Sequence, residues 1–526
     1  MFYHNYVFEY FKTKEFIIKK LVKSVFIITL FSILLKVFGF FMRIVLSREL
    51  GAEALGLYQI ALSFFYVLLT IVSSGLPTTI SHLSAKYQVT RDKNAEGSAV
   101  MSSIIIGLCY SVLLFGLMFA LKNLIIKFTT EQCYTIILCL SPSIFITAIY
   151  SSFRGALWGR QQHTQNCTSE LGEQFVRLIL FLVFLTTAPS PMVGAIRAGM
   201  CYSISCLVSM FIAIFFYFKD GGVLRSPKAS FKTVFKSSFP LTCMHIVSSI
   251  LQPIIAVVVP YELQCAGYTE KEAIGLFGIV TGMTIPLLSL PNTLIGSYAT
   301  ALIPEISTNV VVKDKTALEN QIKTAICFTL FICFCFVPVY IGAGEEIGSL
   351  LFNNTTSGYL LMKSSIVMVP MGISAITQSI LNSLNLEIKS FKNYVFGSIF
   401  MIIGIVFLPQ YMGINAMIIG TGLSISFSSY LNIKMISKHL GIKSFVLKPL
   451  LLMSLFTIPS SLLGNFVAGA FRFVVPQFID VCLSCASSLI SFVLLCIVFN
   501  VINVSTLFVS LKKIKILKKK KSTTKW

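Results

Sequence analysis

Charge is what this sequence has least of. Only 12% of its 526 residues are Asp, Glu, Lys or Arg, and just 20 of them are acidic against 42 basic. A soluble domain carries roughly 25% charged and about 45–50% apolar residues; here 56% are apolar. So composed, the chain cannot hide its apolar surface in water. Soluble enzyme, disordered scaffold and disulfide framework are all excluded, and an integral membrane protein is expected. Chemistry-bearing motifs are missing too. No G-x-x-x-x-G-K-[ST] run supplies an ATP motor, and no H-E-x-x-H is present. A prenyl- or phosphosugar transferase needs clustered carboxylates to hold Mg²⁺ at its phosphates, and the 20 acids here are dispersed. No enzyme activity, metal or other cofactor is therefore expected. Repeated pore motifs, which a channel would show, are absent. Transport is the class that remains.

What the sequence has in quantity is long apolar runs. A bilayer core about 30 Å thick needs about 20 apolar helical residues per crossing. The runs are continuous rather than alternating, which indicates helices and not barrel strands. Fourteen crossings are expected, at 24–47, 54–77, 97–121, 132–155, 170–188, 193–218, 235–260, 274–302, 321–344, 358–383, 391–411, 412–436, 445–470 and 478–510. With the N-terminus inside, 32 Lys and Arg fall in cytoplasmic segments and six in external loops (Arg48, Lys122, Lys127, Lys271, Lys363 and Arg472). That asymmetry places both termini in the cytoplasm of a multi-pass cell-membrane protein. The net charge of +22 would suggest nucleic acid in a soluble protein. Here the bases sit between apolar runs, so no nucleic-acid partner is expected.

The fold class expected is an all-α polytopic membrane protein with two six-helix lobes and two further helices. Residues 1–23 form a basic cytoplasmic extension and 24–218 the first lobe. A linker spans 219–234, the second lobe 235–436, the last two helices 437–510, and a basic tail 511–526. The tail, LKKIKILKKKK, is expected to meet anionic membrane lipid or simply to pin the last helix. Parallel repeats of this kind enclose a site at the bundle interface and work by rocking. The 14 cysteines are scattered in apolar segments, and the Cys482-x-x-Cys485 pair lacks His or acidic neighbours, so small buried hydrophobes are expected there.

An ionisable group inside a span costs roughly 2.5–3.5 kcal/mol on insertion scales and needs a reason. Lys36 and Arg43 are two helical turns apart on one face of the first span. They can hold an anionic headgroup such as a diphosphate, or snorkel to an interface. Glu170, Glu173 and Arg177 share a face of the fifth span, and Glu173 can pair with Arg177. With Arg154 they are candidates for a gate or for an ion pair that orients the helix. Arg197 is a candidate ligand or an interface residue. Pro253, Pro286 and Pro291 lie within spans 7 and 8, where each permits a bend, as a hinge or as a static packing feature.

Three blocks carry a resemblance: KVFGFFMRIVLSRELGAEALGLYQIA (36–61), FRGALWGRQQ followed by ELGEQFVRL (153–178), and VVVPYELQCAGYTEKEAIGLFGIVTGMTIPLLSLPNTLIGSYATALIPEIS (257–307). They resemble the stage V sporulation protein B-like oligosaccharide flippase family. That family falls within the multidrug/oligosaccharidyl-lipid/polysaccharide exporter superfamily, with the lipid II flippases among its relatives. The resemblance implies a fourteen-helix, two-lobed fold and translocation of an undecaprenyl-linked saccharide for spore-cortex or cell-wall synthesis. Lys36 and Arg43 fall near the first-helix bases of the lipid II flippases, and Lys36 stands where those more often carry Arg. A lipid-linked saccharide is the expected substrate, and peptidoglycan glycosyltransferases are expected partners. The alternative on the same fold is a multidrug–cation antiporter driven by H⁺ or Na⁺, which needs membrane-embedded carboxylates.

Overall fold

The computed structural model describes residues 2–312, 315–384, 386–441, 446–471 and 475–499, with side chains from Leu30 onward apart from several between 300 and 312. The basic tail 511–526 and Arg472 lie outside the described residues. Those residues are helices joined by short turns, with no strand among them. Among the described residues, twelve helical segments are long and apolar enough to cross a membrane, and the first, Leu30–Thr90, spans the first two expected crossings in 61 residues. Helix α7 (His163–Phe184) falls outside the twelve because Glu170, Glu173 and Arg177 lie within it. The protein is a multi-pass helical membrane protein.

The first of two compact units runs to Met283 and includes 409–414; the second comprises 284–408 and the chain from Asn415. In unit 1, α1 (Phe2–Ser73) is broken at Gly51 (φ 66°, ψ −173°), a conformation that only glycine adopts without strain. There follow α2 (Gly75–Thr90), α3 (Lys93–Ala120), the short α4 (Lys122–Phe128), α5 (Glu131–Leu140), α6 (Pro142–Gly159), α7 and α8 (Pro191–Lys219). After them come α9 (Phe231–Ser249), α10 (Leu251–Cys265) and α11 (Glu270–Gly278). In lipid, helices gain little from burying more hydrocarbon against each other, so close backbone approach through small residues holds them together. Helix α6 shows this: a Cβ on Gly155 would come within 2.6 Å of the Pro77 carbonyl of α2, and one on Gly159 within 2.5 Å of Ser81. Around that contact pack Leu76, Ile80, Val100, Phe153, Leu157 and Tyr217.

The connection expected as a linker at 219–234 is fastened to α3. Ser98 Oγ donates to the Ser226 carbonyl (2.7 Å), Ser102 Oγ to Pro227 (3.0 Å), and Arg225 Nε to Asn94 Oδ1 (2.8 Å). Residues 235–283 then pack with unit 1, and the chain leaves that unit inside a π-helical stretch, Ile279–Thr284.

Unit 2 holds α12 (Ile285–Leu288), α13 (Leu290–Val312), α14 (Lys315–Phe352), α15 (Thr355–Ser364), α16 (Met368–Ser383) and α17 (Glu387–Phe407). The short α18 (Pro409–Met412) belongs to unit 1, and α19 (Asn415–Leu440), α20 (Leu447–Phe471) and α21 (Gln477–Val498) complete unit 2. Several expected spans are two helices rather than one. Span 4 divides before Pro142, span 7 at Ile250 before Pro253, span 8 before Pro286 and again before Pro291, and span 10 before Pro370. Each proline sits in the first turn after its break, where the missing N–H has no helical partner to lose.

Candidate functional site

Lys36 and Arg43 both lie on the first half of α1, and both side chains are exposed. Neither makes a hydrogen bond or ion pair among the described residues. Arg43 has the Tyr66 hydroxyl as its electrostatic neighbour. Phe38, between them, meets Phe175 of α7 edge-on at 6.1 Å, so this part of α1 is seated on the helix that carries Glu173 and Arg177.

Glu173 and Arg177 form the expected i,i+4 ion pair, and Arg177 is buried, 7% exposed. Helix α8 completes the pair: Arg177 Nε donates to Ser205 Oγ (2.8 Å) and Ser209 Oγ donates to Glu173 Oε2 (2.6 Å). The guanidinium lies 4.0 Å above the Tyr202 ring. Tyr58, fully buried, interacts electrostatically with both Arg177 and Tyr66. Tyr58, Tyr66 and Tyr202 thus cluster near Arg43 and the Glu173–Arg177 pair, with the Tyr202 ring in direct contact with Arg177. The three tyrosines were not among the residues singled out from sequence. Tyr58 and Tyr66 were detectable, because they repeat eight residues apart in an apolar span, and a buried phenol needs a polar partner.

Glu170, on the same helix face, pairs elsewhere. It takes Arg154 (2.8 Å) and the Asn166 amide (3.1 Å), while Arg154 stacks 4.5 Å over Trp158. A second buried pair went unforeseen. Arg160 holds Glu96 in bidentate fashion at 2.8 and 3.0 Å, and Ser84 and Gln88 donate to the same carboxylate at 2.5 and 3.2 Å. Arg160 also reaches the Tyr217 carbonyl at 3.3 Å. Four helices, α2, α3, α6 and α8, meet there. Arg197 donates to the Phe184 carbonyl (3.1 Å) and Thr187 Oγ1 (3.3 Å), which satisfies the end of α7. Pro253, Pro286 and Pro291 stand at helix starts, as described above. Among the described residues no group of three or more His, Cys, Asp or Glu is placed to hold a metal.

The family of polysaccharide biosynthesis proteins matches residues 21–310 of the chain. The chain belongs to this family. It is 25% identical over 378 residues to stage V sporulation protein B of Bacillus subtilis (strain 168), covering 69% of this chain and 73% of that protein. It is also 21% identical over 460 residues to the lipid II flippase MurJ of the same organism, covering 80% and 83%. Among solved structures, MurJ in an inward closed conformation superposes with a TM-score of 0.68 at 17% identity, over 90% of this chain and 98% of that one. An inward-facing multidrug resistance MATE transporter of the MOP superfamily gives 0.66 at 15%, over 78% and 96%. These likenesses establish the fold. The family match covers most of unit 1 and the first part of unit 2, and so includes every charged candidate on α1, α6, α7 and α8.

Proposed function

We propose that this protein is a flippase, not an enzyme, that moves an undecaprenyl-linked oligosaccharide or peptidoglycan precursor across the cytoplasmic membrane by alternating access. One observation carries the reading: Lys36 and Arg43 are exposed cations on one helix face without an acidic partner among the described residues. The acids set into α3 and α7 each have an arginine, Glu96 with Arg160, Glu170 with Arg154 and Glu173 with Arg177. Unpaired positive charge beside paired negative charge selects an anion. The diphosphate would meet Lys36 and Arg43, while the lipid tail stays in the bilayer. Glu173–Arg177, close to the same tyrosines as Arg43, would sense occupancy. The breaks before Pro253, Pro286 and Pro291 would supply the bends for alternating access. Both termini would be cytoplasmic, the tail would lie on anionic lipid, and the cargo would pass to peptidoglycan glycosyltransferases in cortex or wall synthesis.

A second reading, the cation-coupled drug antiporter, is favoured by one residue. Asp480 at the start of α21 is 3% exposed, and its Oδ1 has no hydrogen-bond partner among the described residues. The deciding experiment measures binding of undecaprenyl-linked peptidoglycan precursor and of a cationic dye to purified protein. The flippase reading expects precursor binding that falls at least about tenfold in Lys36→Gln and in Arg43→Gln, the loss of one charge-assisted contact. Dye binding without precursor binding, abolished by Asp480→Asn, establishes the antiporter instead.

A further inference from the structure

Two cavities in unit 1 are lined by none of the residues around Arg43 and the Glu173–Arg177 pair described above. One, of about 430 Å³, lies behind α4 and is walled by apolar side chains of α1, α3, α5 and α10, among them Phe64, Leu114, Met118, Ile137 and Val257. The second, of about 590 Å³, shares Phe128, Val257 and Val258 with the first. Its lining is polar on one side, with Lys127, Thr129, Thr130, Tyr261, Gln264 and Glu270. The apolar cavity is many times the ~30 Å³ of a water molecule, and a space so lined stays dry and favours hydrocarbon. Its rim is exposed at Leu117, Leu124 and Ile254, so a chain can enter sideways from the bilayer.

The head end carries both signs of charge. Lys127 and Glu270 line the same cavity, both are exposed, and neither has an ion-pair partner among the described residues. Lys122, on the same short helix, is engaged with the Tyr134 ring at 5.8 Å. One cation and one anion beside an apolar space complement a head that carries a phosphate and an ammonium. We propose that unit 1 holds a resident zwitterionic aminophospholipid, with an acyl chain in the apolar cavity and its phosphate and ammonium between Lys127 and Glu270. This lipid is a fixture and not the cargo, so the inference stands apart from the flippase reading.

The test supplies purified protein in detergent with equal amounts of dioleoyl phosphatidylethanolamine and dioleoyl phosphatidylglycerol and counts bound lipids by native mass spectrometry. The wild-type protein should prefer the ethanolamine lipid by about tenfold, the worth of one charge-assisted contact. Glu270→Lys should turn the preference toward the glycerol lipid, Lys127→Glu should weaken both, and the double exchange should restore the ethanolamine preference. Leu117→Trp with Ile254→Trp should lose both lipids while keeping the wild-type melting curve. A wild-type preference for the glycerol lipid, no retention beyond that of the tryptophan variant, or charge exchanges that leave the ratio unmoved would overturn the proposal. Loss of precursor binding in Lys36→Gln leaves these outcomes unchanged, so each reading fails on its own.

Discussion

At the scale of single residues, the charges set into the helices divide into structural and available ones. Glu96 and Arg160, 2% and 6% exposed at the side chain, satisfy one another and tie α2, α3, α6 and α8 at one point. Removing one partner from such a pair leaves an uncompensated buried charge, which costs roughly 3–5 kcal/mol. Glu96→Gln or Arg160→Met should therefore lower the melting temperature of the detergent-purified protein sharply. Glu96→Leu combined with Arg160→Met should recover part of the loss. Lys36 and Arg43 should behave in the opposite way, since neither is held by an acid. Replacing either by Gln should leave the melting temperature near wild type and change ligand binding alone. Lys36→Arg should tighten precursor binding, because a planar guanidinium reaches two phosphate oxygens where an ammonium is a point charge.

Helices in this protein are positioned by glycines and started by prolines. At Gly51 the surrounding space is open, and the positive φ of 66° alone demands glycine. Gly51→Ala should cost about 1 kcal/mol or slightly more through backbone strain. Gly159 is limited by space instead, with the backbone of α2 against its Cα. Gly159→Leu should therefore separate α6 from α2 and fail a thermal-stability assay more severely than Gly51→Ala. Pro286 follows the π-helical stretch at which the chain passes from unit 1 to unit 2. If that break is the working hinge, Pro286→Ala should leave precursor binding intact and slow translocation in a reconstituted vesicle assay. An unchanged rate would make it a static feature of helix packing.

For the molecule as a whole, orientation is the property that the flippase reading requires and that labelling can decide. In a variant whose 14 native cysteines are replaced by Ser or Ala, a cysteine placed at Lys519 should resist a membrane-impermeant maleimide in intact cells, and one at Lys127 should react, if both termini are cytoplasmic. The reverse pattern would invert the expected topology. Much at this scale was legible from sequence. Apolar runs long enough for a 30 Å core identify crossings, because every backbone polar group in lipid must be satisfied within its own helix, and the family blocks lie in the same runs. Local pairing was legible as well: Glu173 and Arg177 are one helical turn apart, so no tertiary information is needed to join them. Pairing across helices was not. Glu96 meets Arg160 across 64 residues, and Glu170 takes Arg154 of α6 as its ion-pair partner, choices made only when α3, α6, α7 and α8 pack. The same holds for the tyrosines around Arg177 and for the paired cavities behind α4. Crossing the bilayer is a property of each segment alone, and composition determines it. Which charges are neutralised, and which remain to meet a ligand, depends on contacts between segments, and only the packed structure decides that.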